Sequence, residues 1–192
     1  MDGAEERPRV LVVCTANVCR SPLAQVHLRS HFDAVGAPAL VRSAGFLEGG
    51  HPADPSAVRV ASERGLDLSG HRSLALTPNI ARSADLVLTM TGDHVRELLL
   101  IDPYGLPRAF PLRSFLRLAN GVGPRSAQET FADWIARIAR RRQSTELFSD
   151  QEDIADPFGQ SLGTFRKTSV LLNRLAFQVA SLSYPRCGEA AT

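Results

Sequence analysis

A chain of 192 residues with 44% apolar residues, 22% charged residues and a formal net charge of +2 has the bulk of an ordinary single-domain globular protein. It can bury a core without disulfides or metals. A balance so close to neutral argues against a nucleic-acid footprint, which needs a basic stripe, and no run approaches the apolar length of a membrane span.

The chain opens on the acidic stretch Met1 to Arg7, which lacks the apolar core of a signal peptide. Residues 1–8 are expected to be a flexible lead-in, residues 9–183 a single domain and residues 184–192 a tail. The run Val10-Leu11-Val12-Val13 suits a strand buried on both faces. Beyond a polar loop, Ser21-Pro22 predicts a helix start, with Ser as cap and Pro at the first helical position. Leu23, Val26, Leu28 and Phe32 give its apolar face, and Gly36 its stop. Leu40-Val41 predicts a second strand that enters a turn at Ser43-Ala44-Gly45. Asp54-Pro55 opens a helix that ends at Gly65, and Pro78 to Ala84 a shorter one. Asp85 to Met90 predicts the third strand, Thr91-Gly92-Asp93 a helix carrying Val95, Leu98 and Leu99, and Ala109 to Leu112 a short fourth strand. Ala119 to Pro124 reads as a turn or linker, followed by a helix through Phe131, Trp134, Ile135 and Ile138. Gly163 to Leu182 gives a last amphipathic helix. Alternating strands and helices predict an α/β fold with a mainly parallel sheet.

The chemistry concentrates in the loop Cys14-Thr15-Ala16-Asn17-Val18-Cys19-Arg20-Ser21. At the carboxyl end of a central strand it occupies the edge where open α/β sheets bind ligands. A tight loop running into a helix N-terminus aims several backbone N–H groups at one spot, and the helix dipole adds partial positive charge. Arg20 supplies a planar fork able to hold two phosphate oxygens. A cysteine facing this nest is placed to react as the thiolate. Thiolate, anion nest and bidentate Arg are the parts needed to attack a phosphate monoester. An isolated cysteine at this place would read as a plain buried strand end; the spacing to Arg20-Ser21-Pro22 favours the functional reading.

This loop resembles that of the low-molecular-weight protein tyrosine phosphatases, Cys-x-Gly-Asn-x-Cys-Arg-Ser-Pro, with Ala16 where Gly is usual. The resemblance continues through Ser43-Ala44-Gly45, His71-Arg72, Ala84-Asp85-Leu86-Val87-Leu88 and Asp156-Pro157-Phe158. It implies a flavodoxin-like three-layer fold with a four-stranded parallel sheet flanked by helices, and neither metal nor organic cofactor. It implies hydrolysis of protein phosphotyrosine through a cysteinyl-phosphate, with Cys14 as nucleophile, Arg20 on the phosphate and Asp156 as the acid that protonates the leaving oxygen. Residues alone would also offer Asp150 and Asp153 for that role. The resemblance further implies that Asn17, Ser21, Ser43 and His71 form a supporting hydrogen-bond network. Taken singly, Ser21 would be a helix cap, Ser43 a turn residue and His71 a satisfied surface or core histidine.

Thr15, Ala16, Val18 and Cys19 are expected around the phosphate pocket, with Phe46 and Phe158 as aromatic walls. A bacterial branch of the family acts on phosphoarginine and typically carries Thr where this chain has Val18. An apolar Val offers a guanidinium no partner and favours phosphotyrosine, whereas Asp156-Pro157-Phe158-Gly159 is as close to the arginine branch. An arsenate reductase would need relay cysteines, and none lies between Cys19 and Cys187; a phosphate-binding module without turnover is a further alternative. Expected partners are a phosphorylated protein, with inorganic phosphate and other oxyanions as inhibitors, and neither nucleic acid nor membrane. Cys19 is either a disulfide partner that shields Cys14 or a small buried residue. The odd cysteine count suits a reducing, cytoplasmic setting. The tract Arg137 to Arg142 is either a basic docking patch or the solvated end of a helix.

Overall fold

In the first strand, Val10, Val12 and Cys14 join one hydrophobic core, and Leu11 and Val13 join another. Successive side chains of a strand point to opposite faces, so an uninterrupted apolar run means that both faces are covered. The computed structural model describes residues 7–37, 39–143 and 150–184. Residues 1–6 of the expected lead-in and 185–192 of the expected tail, with Cys187, lie outside the described residues; Pro8 is buried and its carbonyl accepts from Leu40 N, and Tyr184 packs edge-on against Phe32.

Strand β1 (Arg9–Cys14) lies between β2 (Leu40–Gly45) and β3 (Leu86–Thr89), and β4 (Ala109–Pro111) pairs with β3. All pairings are parallel, in the order β2-β1-β3-β4. One face of the sheet is covered by α1 (Arg20–Ala34), α2 (Pro55–Ser62), α5 (Leu112–Val122), α6 (Phe131–Ala139) and α7 (Leu162–Ser183). The other is covered by α3 (Pro78–Arg82) and α4 (Gly92–Ile101). This is the expected flavodoxin-like three-layer arrangement. Among the described residues no helix is long and apolar enough to cross a membrane.

Three local expectations need correcting. Strand β2 continues through Ser43 and Ala44 to Gly45 instead of turning there, because all six of its residues pair with β1. Leu112 opens helix α5 instead of closing β4, and α5 runs through Asn120 and Gly121 up to Gly123, whose φ of 89° ends it. Leu112, Phe115, Leu116 and Ala119 share one buried stripe of that helix, and Phe115 meets Phe110 and Trp134 edge-on. Packing overrides the weak helix propensity of Asn and Gly. Helix α1 begins at Arg20, with Cys19 in the cap position and no side-chain cap.

Two arginines of the basic tract are tied into the fold, while Arg140 and Arg141 stay exposed. The Arg137 guanidinium pairs with Glu129 and donates to Val122 O. Arg142 donates to Leu106 O and Ala109 O while covering the Phe110 ring at 4.0 Å.

Candidate active site

Five residues separate the end of β1 at Cys14 from the start of α1 at Arg20. The parallel register sets Cys14 opposite Gly45, and a Cβ on Gly45 would lie 2.7 Å from both Asn17 N and Thr15 O. Only glycine lets the two chains approach so closely. Beyond it, Phe46 N and Leu47 N both donate to Thr15 O at 2.7 and 3.1 Å, and Asp54 N donates to Val18 O at 2.9 Å. The left-handed backbone that the loop needs falls on Asn17, with φ 55°, and not on Ala16. Alanine in place of the usual glycine is therefore tolerated at 16, and Asn is among the residues that visit this region most readily.

Asn17 is fully buried and uses its whole amide. Nδ2 donates to Ser21 Oγ and to Ser43 Oγ, each at 2.8 Å, and Oδ1 accepts from Leu74 N at 2.8 Å. Its backbone carbonyl accepts from His71 Nε2 at 2.8 Å. That bond offsets part of the burial that pushes the His71 pKa below its ordinary value. The structure thus brings Asn17, Ser21, Ser43 and His71 into one network. Because Ser21 Oγ accepts from Asn17, its own proton is free to point at Cys14 Sγ, 3.0 Å away. Ser21 is not the helix cap. The first turn of α1 keeps its backbone donors for the loop's concave side, as an anion site at a helix N-terminus requires.

Arg20 is buried but for 4% of its surface. Nη1 donates to Ile154 O at 3.1 Å, and Nη2 donates to Thr15 Oγ1 at 3.3 Å and to Asp156 Oδ2 at 2.5 Å. Its Nε is buried without a partner among the described residues. Asp156 divides its oxygens: Oδ1 accepts from Phe158 N at 3.1 Å and closes a turn, while Oδ2 faces Arg20. The turn reading therefore holds, and the same carboxylate also faces the pocket arginine. Asp153, one of the two rival carboxylates, is turned elsewhere: its Oδ1 accepts from Gly92 N at the start of α4. Ile154, buried below, donates its N–H to Met90 O at 2.8 Å and ties the acid loop to the end of β3.

Over this floor lies a pocket of about 230 Å³ lined by Cys14, Thr15, Ala16, Val18, Cys19, Leu47, Asp156 and Phe158. Phe158 forms one wall, 64% exposed. Phe46 does not line it. Where β2 gives out, Phe46 packs against the core on the α4 face and stacks on the His94 ring at 5.6 Å, and Leu47 takes the expected wall position. A larger hollow, about 650 Å³, opens at the amino ends of β1 and β2 among Arg9, Leu40 and Arg42, at the opposite end of β1 from Cys14. Both Cys14 and Cys19 are free thiols. Burial, reinforced by Asp54, Asp156 and Cys14, pushes the Cys19 thiol well up, against an opposing pull from Arg20.

His94 escaped the sequence reading. It sits in the first turn of α4, buried, with Nε2 at 3.0 Å from Thr15 Oγ1. Burial, helped by the nearby Arg20 charge, lowers its pKa to about 4 against a smaller opposing effect of Asp156. Its place just past the carboxyl end of β3 was the available signal.

Residues 9–120 match the model of the low molecular weight phosphotyrosine protein phosphatase family. The low molecular weight protein-tyrosine-phosphatase Etp of Escherichia coli K12 is 42% identical over 137 residues, which are 70% of this chain and 89% of the relative. The protein-arginine-phosphatase of Bacillus subtilis is 30% identical over 174 residues, 89% of this chain and 93% of the relative. Among solved structures, a YwlE mutant from Bacillus subtilis superposes with a TM-score of 0.71 at 27% identity, covering 91% of this chain and 97% of that one. The tyrosine phosphatase Wzb from Escherichia coli K30 in complex with sulphate gives 0.66 at 27% identity, covering 91% and 97%.

Proposed function

The chain belongs to the low molecular weight phosphotyrosine protein phosphatase family, and on that premise we propose that it hydrolyses phosphotyrosine in proteins through a phosphocysteine formed on Cys14. The observation that carries the assignment of roles is that Cys14, its Sγ beside Ser21 Oγ, and Asp156, engaged by the buried Arg20, line one small pocket. The Cys14 thiolate attacks phosphorus, an S–P bond forms and the P–O bond to the aryl group breaks. Asp156 gives its proton to the departing oxygen, then takes one from the water that cleaves the S–P bond and releases phosphate. The loop N–H groups and Arg20 hold the phosphoryl oxygens, and the unpartnered buried Nε of Arg20 is a donor suited to one of them. Ser21 stabilises the sulfur as the thiolate, both as attacking and as leaving group.

Val18, Leu47 and Phe158 make an apolar surround for an aryl ring. Among the described residues Asp156 is the one acidic side chain lining the pocket, and its proton is committed to the leaving oxygen, so a substrate guanidinium has little to bind. That favours phosphotyrosine over the phosphoarginine suggested by the Bacillus subtilis relative. Free phosphate and similar oxyanions compete for the nest, in keeping with the sulphate carried by the Wzb structure. Two free thiols in the site suit a reducing compartment such as the cytoplasm.

Hydrolysis of para-nitrophenyl phosphate and of a phosphotyrosine peptide by the wild type, set beside Cys14→Ser, tests the reading. The wild type turns over both and the variant neither, while the variant still binds phosphate. A wild type inactive from mildly acid to neutral pH, or an active Cys14→Ser, overturns it.

A further inference from the structure

Thr15 Oγ1 is shared: the Arg20 guanidinium donates to it through Nη2 at 3.3 Å, and His94 Nε2 lies 3.0 Å away on its other side. Arg20 Nη2 also reaches Asp156 Oδ2. One continuous line therefore runs from His94 through Thr15 and Arg20 to Asp156. The direction of each bond follows from the inventory of protons. A guanidinium can only donate, so the Thr15 oxygen accepts from Arg20. The second lone pair of Thr15 Oγ1 faces His94 Nε2, which donates to it, and the hydroxyl proton points out at the exposed pocket edge. The neutral ring then carries its proton on Nε2, since a proton on the buried Nδ1 would find no acceptor among the described residues. The ring's burial on the Phe46 face, with Arg20 as the nearby cation, favours the neutral form. The ring is fixed by the Phe46 stack and by its place in α4, whereas Thr15 is solvent-exposed at the pocket edge. Among the described residues no other hydrogen bond holds the Thr15 side chain.

We propose that His94 is a positioning residue for the phosphatase reaction: by donating from Nε2 to one lone pair of Thr15 Oγ1 it holds the other toward Arg20 and so aims the guanidinium at the phosphate site. The inference rests on the functional reading above, since it concerns the aim of the phosphate-binding arginine. Supporting hydrogen bonds of this kind fix the orientation of a working group without touching substrate.

The experiment is a double-mutant cycle on His94→Ala and Thr15→Val, with His94→Gln as a conservative variant that carries an amide near the place of Nε2. Each is read as kcat and KM on para-nitrophenyl phosphate, as the dissociation constant of inorganic phosphate, and as thermal midpoint. His94→Ala should weaken phosphate binding and lower kcat/KM by about tenfold, the lower end of what a lost supporting bond costs. Thr15→Val should do the same, and the double variant should lose no more than either single one. His94→Gln should recover to within about threefold of wild type. Losses that multiply in the double variant, or a Gln variant as impaired as Ala while both stay folded, overturn the role of His94. Should His94→Ala not fold, the comparison of Gln with wild type in the Thr15→Val background decides the matter: equal values support the proposal and unequal values reject it. A wild type without turnover rejects the phosphatase reading, and the phosphate-binding cycle still tests the coupling on its own.

Discussion

Replacing Asn17 by Ala would remove three side-chain hydrogen bonds at one stroke. Ser21 Oγ and Ser43 Oγ each lose a donor, and Leu74 N loses its acceptor. All of these sit at a position with no solvent exposure, so water cannot take over without opening the loop. At about 1 kcal/mol net for each bond, the loss is roughly 3 kcal/mol. Holding alanine at φ 55°, where asparagine is better tolerated, adds up to about 1 kcal/mol. For a chain of this size about 3–4 kcal/mol corresponds to a fall in Tm of roughly 6–16 °C. Activity should fall further than folding does, because Ser21 is no longer oriented toward Cys14 and the loop that must present its N–H groups is no longer held. Urea unfolding at neutral pH, with kcat/KM measured well below the transition, gives both quantities. A midpoint within about 0.5 kcal/mol of wild type, or a destabilised enzyme of normal kcat, would show that the network is not what holds the loop.

Asp156→Ala should cut kcat on phenyl phosphate, a poor leaving group, by about 10²–10⁴ and on para-nitrophenyl phosphate far less; equal losses on both would point to a merely structural aspartate, since its Oδ1 also closes the turn at Phe158. Val18→Thr should raise the rate ratio of phosphoarginine to phosphotyrosine, and an unchanged ratio would place selectivity on Leu47 and Phe158 instead. His27, 1% exposed and hydrogen-bonded to Ser169 between α1 and α7, has its pKa lowered by burial from 6.5 to about 4. The unfolded chain therefore binds a proton that the folded one refuses, so stability is full above pH 6.5 and is lost as pH falls toward 4, by up to about 3 kcal/mol. Urea midpoints at pH 7.5 and 4.5 should diverge less in His27→Gln than in wild type; the same divergence would remove His27 from the cause.

Much of the architecture was legible because its signals are local. An unbroken run such as Val10 to Val13 reports two buried faces, and Asp54 and Thr91 mark the helix starts that their side chains in fact cap. The loop from Cys14 to Ser21 was readable because an anion nest, a thiol and a guanidinium must occur at fixed spacing. What escaped depends on contacts distant in sequence. Phe46 and Leu47 are adjacent, and which of them faces the pocket is decided by how the end of β2 lies against the loop. His94 meets Thr15 across 79 positions, with no spacing rule to announce it. Helix α5 was hidden by Asn120 and Gly121, whose weak preference is outweighed by the Phe110–Phe115–Trp134 cluster.

The uncapped start of α1 has an evolutionary consequence. Cys19 occupies the position where Ser, Asp or Asn would satisfy a backbone donor and stabilise the helix by about 1 kcal/mol. A thermostability selection carried out on this chain without regard to turnover should therefore drift toward such residues at position 19. It would install an internal oxygen where a phosphoryl oxygen is meant to go. The helix is less stable than its sequence length would permit because its amino end is reserved for something that arrives from outside, and resistance to heat and catalysis pull position 19 in opposite directions.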